Sequence, residues 1–131
     1  MKNTFLLIIA AVLLASCHES IEKRAEREAR EYTQKNCPTP EVNNTRTDSV
    51  TFDTATRTYT YYCSVTGVMD DAQLIDKHHD EISDGLLSNL RQSTEIKVYK
   101  EAGFNFAYVL RSTKNKGQVL YKATFKPQSY K

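Results

Sequence analysis

The chain has 131 residues, a formal net charge of +2 at pH 7, 40% hydrophobic residues and 26% charged residues. This length suits one domain, and this composition is that of a folded domain rather than a disordered chain. A charge so close to neutral argues against a nucleic-acid-binding surface and against a polybasic membrane patch.

The N-terminus carries a short apolar run that ends at a cysteine. Lys2 supplies a positive charge, residues 5–14 (FLLIIAAVLL) are apolar throughout, and two small residues then precede Cys17. A run of this length is too short to cross a bilayer as a helix, which needs about 20 residues. The pattern therefore predicts an export signal rather than a membrane-spanning helix.

The segment Leu14-Ala15-Ser16-Cys17 resembles the lipobox of bacterial lipoproteins. The resemblance implies that residues 1–16 are a signal peptide, that Cys17 is lipidated, and that the lipid anchors the protein in a membrane of the cell envelope. His18 follows the cysteine, which in the enterobacterial sorting pattern favours the outer membrane over the inner membrane.

Two further cysteines remain after Cys17 is assigned to the lipid. Cys37 and Cys63 are an even pair in a chain that is predicted to reach an oxidising compartment, which favours a disulfide between them. The closed loop would span 27 residues, and the chain-entropy model gives about 3.5 kcal/mol of stabilisation for it. The alternative is two reduced cysteines that lie apart.

Residues 18–36 are rich in Glu, Lys, Arg and Ala, which favours a charged helix. Its first turns could instead be a solvated tether, so residues 17–36 are assigned together as lipidated cysteine, tether and first helix. Residues 37–131 are assigned to the globular domain on which the helix packs. The apolar stripe of the helix is narrow and consists of Ile21, Ala25, Ala29 and Tyr32.

The following residues alternate with period two over 47–66, which predicts a β-hairpin. An amphipathic stripe then predicts a second helix over 71–92, with Gly85 allowing a close backbone approach. Three more alternating segments predict strands around 96–98, 104–110 and 119–125.

The resulting order α-β-β-α-β-β-β predicts a two-layer α+β fold, with an antiparallel sheet and two helices on one face. A second resemblance agrees with this fold. The string Cys37-Pro38, Val42-Asn43, Thr45-Arg46, Asp48-Ser49-Val50 and Thr60-Tyr61-Tyr62 is similar to a pattern in small exported bacterial proteins with no assigned function. It implies a shared α+β domain and no particular chemistry.

The cluster His78-His79-Asp80-Glu81 is the strongest candidate for a metal site, but its donors on one helix form an incomplete ligand set. The sequence contains no Gly-x-Ser-x-Gly elbow and no glycine-rich phosphate loop. We therefore predict no catalytic residue, no metal site and no cofactor.

The outward positions of the strands carry tyrosine within a cationic rim, a composition typical of protein-contact surfaces. Tyr62 and Tyr99 are the predicted anchors for a partner, although an ordinary solvated sheet face would look similar. The sequence favours a lipid-anchored, non-catalytic binding or assembly module of the envelope. The alternatives are an inhibitor or immunity-type lipoprotein and a small envelope enzyme.

Overall fold

The computed structural model describes residues 18–131, so the predicted signal peptide and the lipidation of Cys17 lie outside the described residues. The strands are β1 (Thr45–Asp53), β2 (Thr58–Val65), β3 (Asn105–Ser112) and β4 (Val119–Phe125). The α-helices are α1 (Ile21–Asn36), α2 (Ala72–Lys77), α3 (His79–Gln92), α4 (Lys97–Glu101) and α5 (Pro127–Tyr130), and a short 3-10 helix covers Gly67–Met69.

Helix α1 lies close against the edge of the sheet. Ser20 caps it by accepting a hydrogen bond from a backbone amide of the first turn. Ala25 and Ala29 are fully buried, and their small side chains let the helix approach the strands. Near the other end, the Thr33 hydroxyl accepts from the Val50 amide at 2.9 Å and donates to the Val50 carbonyl at 3.0 Å. Helix α1 is thereby fastened to the middle of β1.

The sheet has the strand order β1-β2-β3-β4 and is mixed. The α+β class is confirmed, with the helices flanking an open sheet. The expectation of a wholly antiparallel sheet is wrong, because β2 and β3 pair in parallel while the two outer pairs are antiparallel. The chain between β2 and β3 contains α2, α3 and α4, and such a crossover returns the next strand in the same direction.

The predicted strand around residues 96–98 is wrong, and the sheet has four strands instead of five. This segment leads into α4, in which Ile96 and Tyr99 are buried while Val98 is 40% exposed. The burial follows the three-residue spacing of a helix, and an alternation over only two apolar residues carried too little information to exclude it. Tyr99 therefore lies in the core rather than on the outer sheet face.

The predicted second helix is present, but it breaks at His78 into α2 and α3. Asp71 caps α2 by accepting hydrogen bonds from two backbone amides of the first turn. The apolar stripe still faces the sheet on both sides of the break, since Ile75 and Leu90 are buried.

The core consists of two clusters on the helix-covered face. The first is rich in aromatic rings and contains Ala25, Ala29, Val50, Phe52, Tyr59, Leu90, Ile96, Tyr99, Phe104, Phe106 and Tyr130. The second contains Val65, Ile75, Leu110 and Tyr121. Several of the residues packed around the second cluster are only partly buried, and that end of the sheet holds the groove described next.

Candidate functional site

An apolar groove of about 410 Å³ runs between α3 and the end of the sheet at which β1 begins and β2 ends. Tyr61 and Cys63 of β2 and Tyr108 of β3 form part of its floor, while Ile82 and Leu86 of α3 line one wall. All five side chains are only partly buried. Partly buried apolar side chains that face one another across a groove are typical of binding sites.

The groove is open because α1 stops short of this end of the sheet. The hydrogen bonds of Thr33 fix the last turns of α1 at the level of Val50. Beyond that level, Thr45 and Thr47 of β1 are the residues that line the groove opposite α3. The wall on the β1 side is therefore made of short polar side chains, with no helix of the described residues among its lining.

Gly85 lies in the wall formed by α3. A Cβ atom built on Gly85 would meet nothing within 4 Å among the described residues. The glycine thus leaves space on the groove side of the helix, although it costs up to about 1 kcal/mol of helix stability relative to Ala. An approaching ligand could contact the backbone of α3 closely at this point.

The floor of the groove is uncharged at physiological pH. The rings of Tyr61 and Tyr108 stack with centroids 5.1 Å apart and planes 13° apart. Burial raises the pKa of the Tyr108 hydroxyl to about 12 and also raises the pKa of Tyr61. Both hydroxyls remain protonated, so the floor offers aromatic surface and neutral hydroxyl groups.

The rim of the groove is polar. Asn43 precedes β1 on one side, while Asn89 and the exposed Glu81 belong to α3 on the other side. An apolar floor between polar rims fits a ligand that has one apolar face and two polar flanks.

The opposite face of the sheet carries Tyr62, as predicted, but Tyr99 is only 2% exposed and lies beneath the helices. The structure therefore does not bring these two predicted anchors together. The guanidinium of Arg111 lies 4.9 Å from the centre of the Tyr62 ring, and Lys122 lines the same shallow depression. The role of Tyr62 in partner binding stays a prediction.

The thiols of Cys37 and Cys63 are free in the structure, so their predicted disulfide stays a prediction. The Cys63 sulfur lies 3.8 Å from the Thr47 hydroxyl, beside the groove floor. Burial raises the pKa of both thiols above its usual range. Neither thiol is therefore an activated nucleophile.

The histidines of the cluster contact neighbouring carboxylates, and the ring of His79 also lies 5.1 Å from that of Tyr121. His78 Nδ1 lies 3.2 Å from Glu81, and His79 Nδ1 lies 3.3 Å from Asp80. Within residues 18–131, no group of three or more His, Cys, Asp or Glu side chains is arranged to hold a metal ion. In the same range, no helix is both long and apolar enough to cross a membrane.

The groove was not predicted from the sequence, although one signal pointed to it. Gly85 interrupts the apolar stripe of α3 between Ile82 and Leu86. A glycine at such a position costs helix stability, and this cost is a reason to look for a contact that needs the space.

The family described as "Domain of unknown function (DUF8479)" has a model that matches residues 20–121. The chain belongs to this family. No curated protein sequence matches the chain significantly. Three solved structures nevertheless share the fold of this family member over most of its length.

A secreted protein from Pseudomonas aeruginosa is similar with a TM-score of 0.70 and 16% identity, and the match covers 87% of this chain and 100% of that one. The pilotin EpsS of the type 2 secretion system of Vibrio vulnificus is similar with a TM-score of 0.63 and 11% identity, and the match covers 84% of this chain and 91% of that one. The type II secretion system pilotin AspS of Vibrio cholerae is similar with a TM-score of 0.61 and 16% identity, and the match covers 82% of this chain and 90% of that one. The fold is thus shared with an exported protein and with two secretion-system proteins.

Proposed function

We propose that the protein is a lipid-anchored, non-catalytic assembly protein of the bacterial envelope, which binds an amphipathic helix of a partner protein in its groove. The observation that carries this proposal is the apolar groove between α3 and the end of the sheet at which β1 begins and β2 ends. The lipobox-like N-terminus and the fold shared with two pilotins support an envelope role, with the outer membrane as the favoured location.

A helix suits this groove because the groove lies in the helical layer of the fold. Helix α1 covers one part of the sheet and α3 covers another, with the floor residue Tyr61 partly buried between them. Packed helices lie about 8–10 Å apart and insert side chains between one another. A partner helix would therefore complete the layer, with its apolar stripe on Tyr61, Tyr108 and Leu86.

The charge of the rim indicates which flanks the partner helix carries. Glu81 is exposed on the α3 side of the groove, where it contacts His78. A basic residue on the flank of the bound helix would face this carboxylate. We therefore expect an apolar stripe bordered by Lys or Arg on one side.

The position of the groove suits a protein tethered at its N-terminus. Helix α1 has 16 residues and is about 24 Å long. Its first turn lies at the β2 start, where Glu22 contacts Arg57 at 3.3 Å, whereas the groove lies at the β2 end. A lipid on Cys17 would therefore hold the membrane at one end of the domain and leave the groove facing away from it.

A bulky side chain at Gly85 tests the proposal, because this residue lines the groove and a Cβ atom there meets nothing within 4 Å among the described residues. The full-length lipoprotein with Gly85→Trp would be expressed in its native bacterium and purified from solubilised membranes. We expect it to lose an envelope protein that the wild type retains. The matched control is Ser88→Trp, which places the same side chain at an exposed position of α3 outside the groove lining. Equal retention by both variants would contradict the groove as the partner site.

The outer sheet face is the second candidate surface, and the contact between Arg111 and the ring of Tyr62 favours it. Tyr62→Ala would remove the aromatic surface without touching the groove. Loss of the partner from this variant, with retention by Gly85→Trp, would move the binding site to the outer face. Inhibition of an envelope hydrolase by the purified protein would instead favour the inhibitor alternative.

A further inference from the structure

We infer that Cys37 and Cys63 form a disulfide in the exported protein. This bond would hold the chain segment after Cys37 in place along the β1 side of the groove. This inference rests on the groove being the ligand site of the proposed function. Three features of the structure support this inference. They are the path of the chain around Cys37, the position of Cys63 in the groove, and the short polar side chains that line the groove on the β1 side.

The chain holds Cys37 beside the part of β1 that pairs with Cys63. Cys37 follows α1 directly, and its amide donates to the Thr33 carbonyl at 3.1 Å. Thr33 is itself bonded to Val50 of β1 through its side chain. Cys37 therefore lies beside β1, four residues after the hydrogen bonds that join α1 to this strand.

The next residues are tied to β1 as well. The Thr39 amide donates to the Thr47 carbonyl, and the Thr47 amide donates to the Thr39 hydroxyl, both at 2.9 Å. Thr47 is the register partner of Cys63 on β2, and its hydroxyl contacts the Cys63 sulfur. The hydrogen bonds of Thr33 and Thr39 thus hold the residues on both sides of Cys37 against β1, the strand that pairs with Cys63.

Neither thiol is activated for spontaneous oxidation. Both thiols are neutral at pH 7 because burial raises their pKa, so oxidation calls for a catalyst rather than free oxygen.

The reaction is thiol–disulfide exchange with a disulfide-bearing oxidant of the envelope. The thiolate of one cysteine attacks the oxidant's disulfide, forms a mixed disulfide and releases one thiolate of the oxidant. The thiolate of the second cysteine then attacks the mixed disulfide, closes the Cys37–Cys63 bond and releases the other thiolate. The two cysteines lose two protons and two electrons, and the oxidant takes up both as a dithiol.

The bond would change the groove, because Cys63 lines its floor and Thr47 lines its β1 side. In the reduced protein, two hydrogen bonds between Thr39 and Thr47 hold the segment after Cys37 against that side. A covalent link would keep this segment in place, and a site that is already ordered loses less entropy on binding. The oxidised protein should therefore bind groove ligands more tightly.

Two measurements test the inference. Peptide mapping of the full-length lipoprotein, purified from membranes without reductant and with free thiols blocked at lysis, should recover one Cys37–Cys63 linked pair. Titration with the neutral dye Nile red should then give at least about threefold tighter binding to the oxidised than to the dithiothreitol-reduced protein. Two freely alkylated thiols in the exported protein, or equal or weaker dye binding after oxidation, would overturn it.

Two variants separate this inference from the proposed function. The double variant C37S/C63S should bind the dye like the reduced wild type under both conditions, and a redox effect that persisted in it would overturn the inference. Gly85→Trp should weaken dye binding in both redox states, because it fills the groove directly. If Gly85→Trp loses the envelope partner while oxidation leaves dye binding unchanged, the proposed function stands and the disulfide inference fails. If oxidation changes dye binding while Gly85→Trp keeps the envelope partner, the disulfide inference stands and the proposed function fails.

Discussion

The hydroxyl of Tyr99 donates a hydrogen bond to the carboxylate of Glu28, which joins α4 to α1 across 71 positions of the sequence. Arg24 contacts the other oxygen of the same carboxylate at 2.8 Å. The ring of Tyr99 stacks on Phe104 with centroids 5.7 Å apart. One side chain thus fills the core with its ring and fastens α1 with its hydroxyl.

Tyr99→Phe should destabilise the protein by about 1–2 kcal/mol, because it removes a hydrogen bond to a charged acceptor and keeps the ring. Tyr99→Ala should cost about 3–5 kcal/mol, because it also leaves a cavity among aromatic side chains. Urea unfolding of the domain followed by circular dichroism measures both values. A loss from Tyr99→Phe as large as that from Tyr99→Ala would show that the ring contributes little.

The carboxylate of Asp70 should make the stability depend on pH. It accepts hydrogen bonds from the Ser112 hydroxyl at 2.6 Å and from the Thr113 and Lys114 amides at 3.0 and 2.8 Å. These bonds, that of Ser112 first, hold the pKa of Asp70 below its usual value. A lowered folded-state pKa adds stability above the unfolded pKa near 4, and this stability is lost as the pH falls through the folded pKa.

Asp70→Asn should therefore be less stable than the wild type at pH 7, and the difference should shrink as the pH falls below about 4. Thermal unfolding of both proteins across this range measures the difference. A difference that stays constant down to pH 2 would assign the effect to packing rather than to the charge.

Gly85→Ala should stabilise the protein by about 0.5–1 kcal/mol, because alanine is the better helix former and its methyl group meets no described atom within 4 Å. Gly103→Ala is the contrasting variant. Gly103 has a φ of +78°, a conformation that strains a residue with a side chain. Stabilisation by Gly103→Ala, or destabilisation by Gly85→Ala, would contradict the backbone geometry at these positions.

The parts of the fold that the sequence predicted were those with a long periodic pattern. The hairpin of β1 and β2 and the helix capped by Asp71 each rest on several repeats of one period. The strand predicted around Val98 rested on one alternation, and the helical spacing of Ile96 and Tyr99 described the same residues better. The parallel pairing of β2 with β3 depends on the path of the crossover, which local periodicity does not report.

The candidate site was less predictable than the fold. Tyr62 was placed on the outer face correctly because its neighbours on β2 alternate over eight residues. The groove arises from where α1 ends relative to β1, and this depends on the bond between Thr33 and Val50. No residue type in the sequence marks such a contact between distant elements.

Photo-crosslinking from two opposite faces of the sheet would identify the surface that binds the partner. A photoreactive amino acid would replace Leu86 in the groove or Thr124 on the outer face of the full-length lipoprotein in living cells. The crosslinked peptides would then be sequenced by mass spectrometry. We expect position 86 to crosslink to an amphipathic helical segment of one envelope protein, with a basic flank, and we expect Gly85→Trp to abolish the product. Crosslinks from position 124 alone would contradict the groove as the binding site.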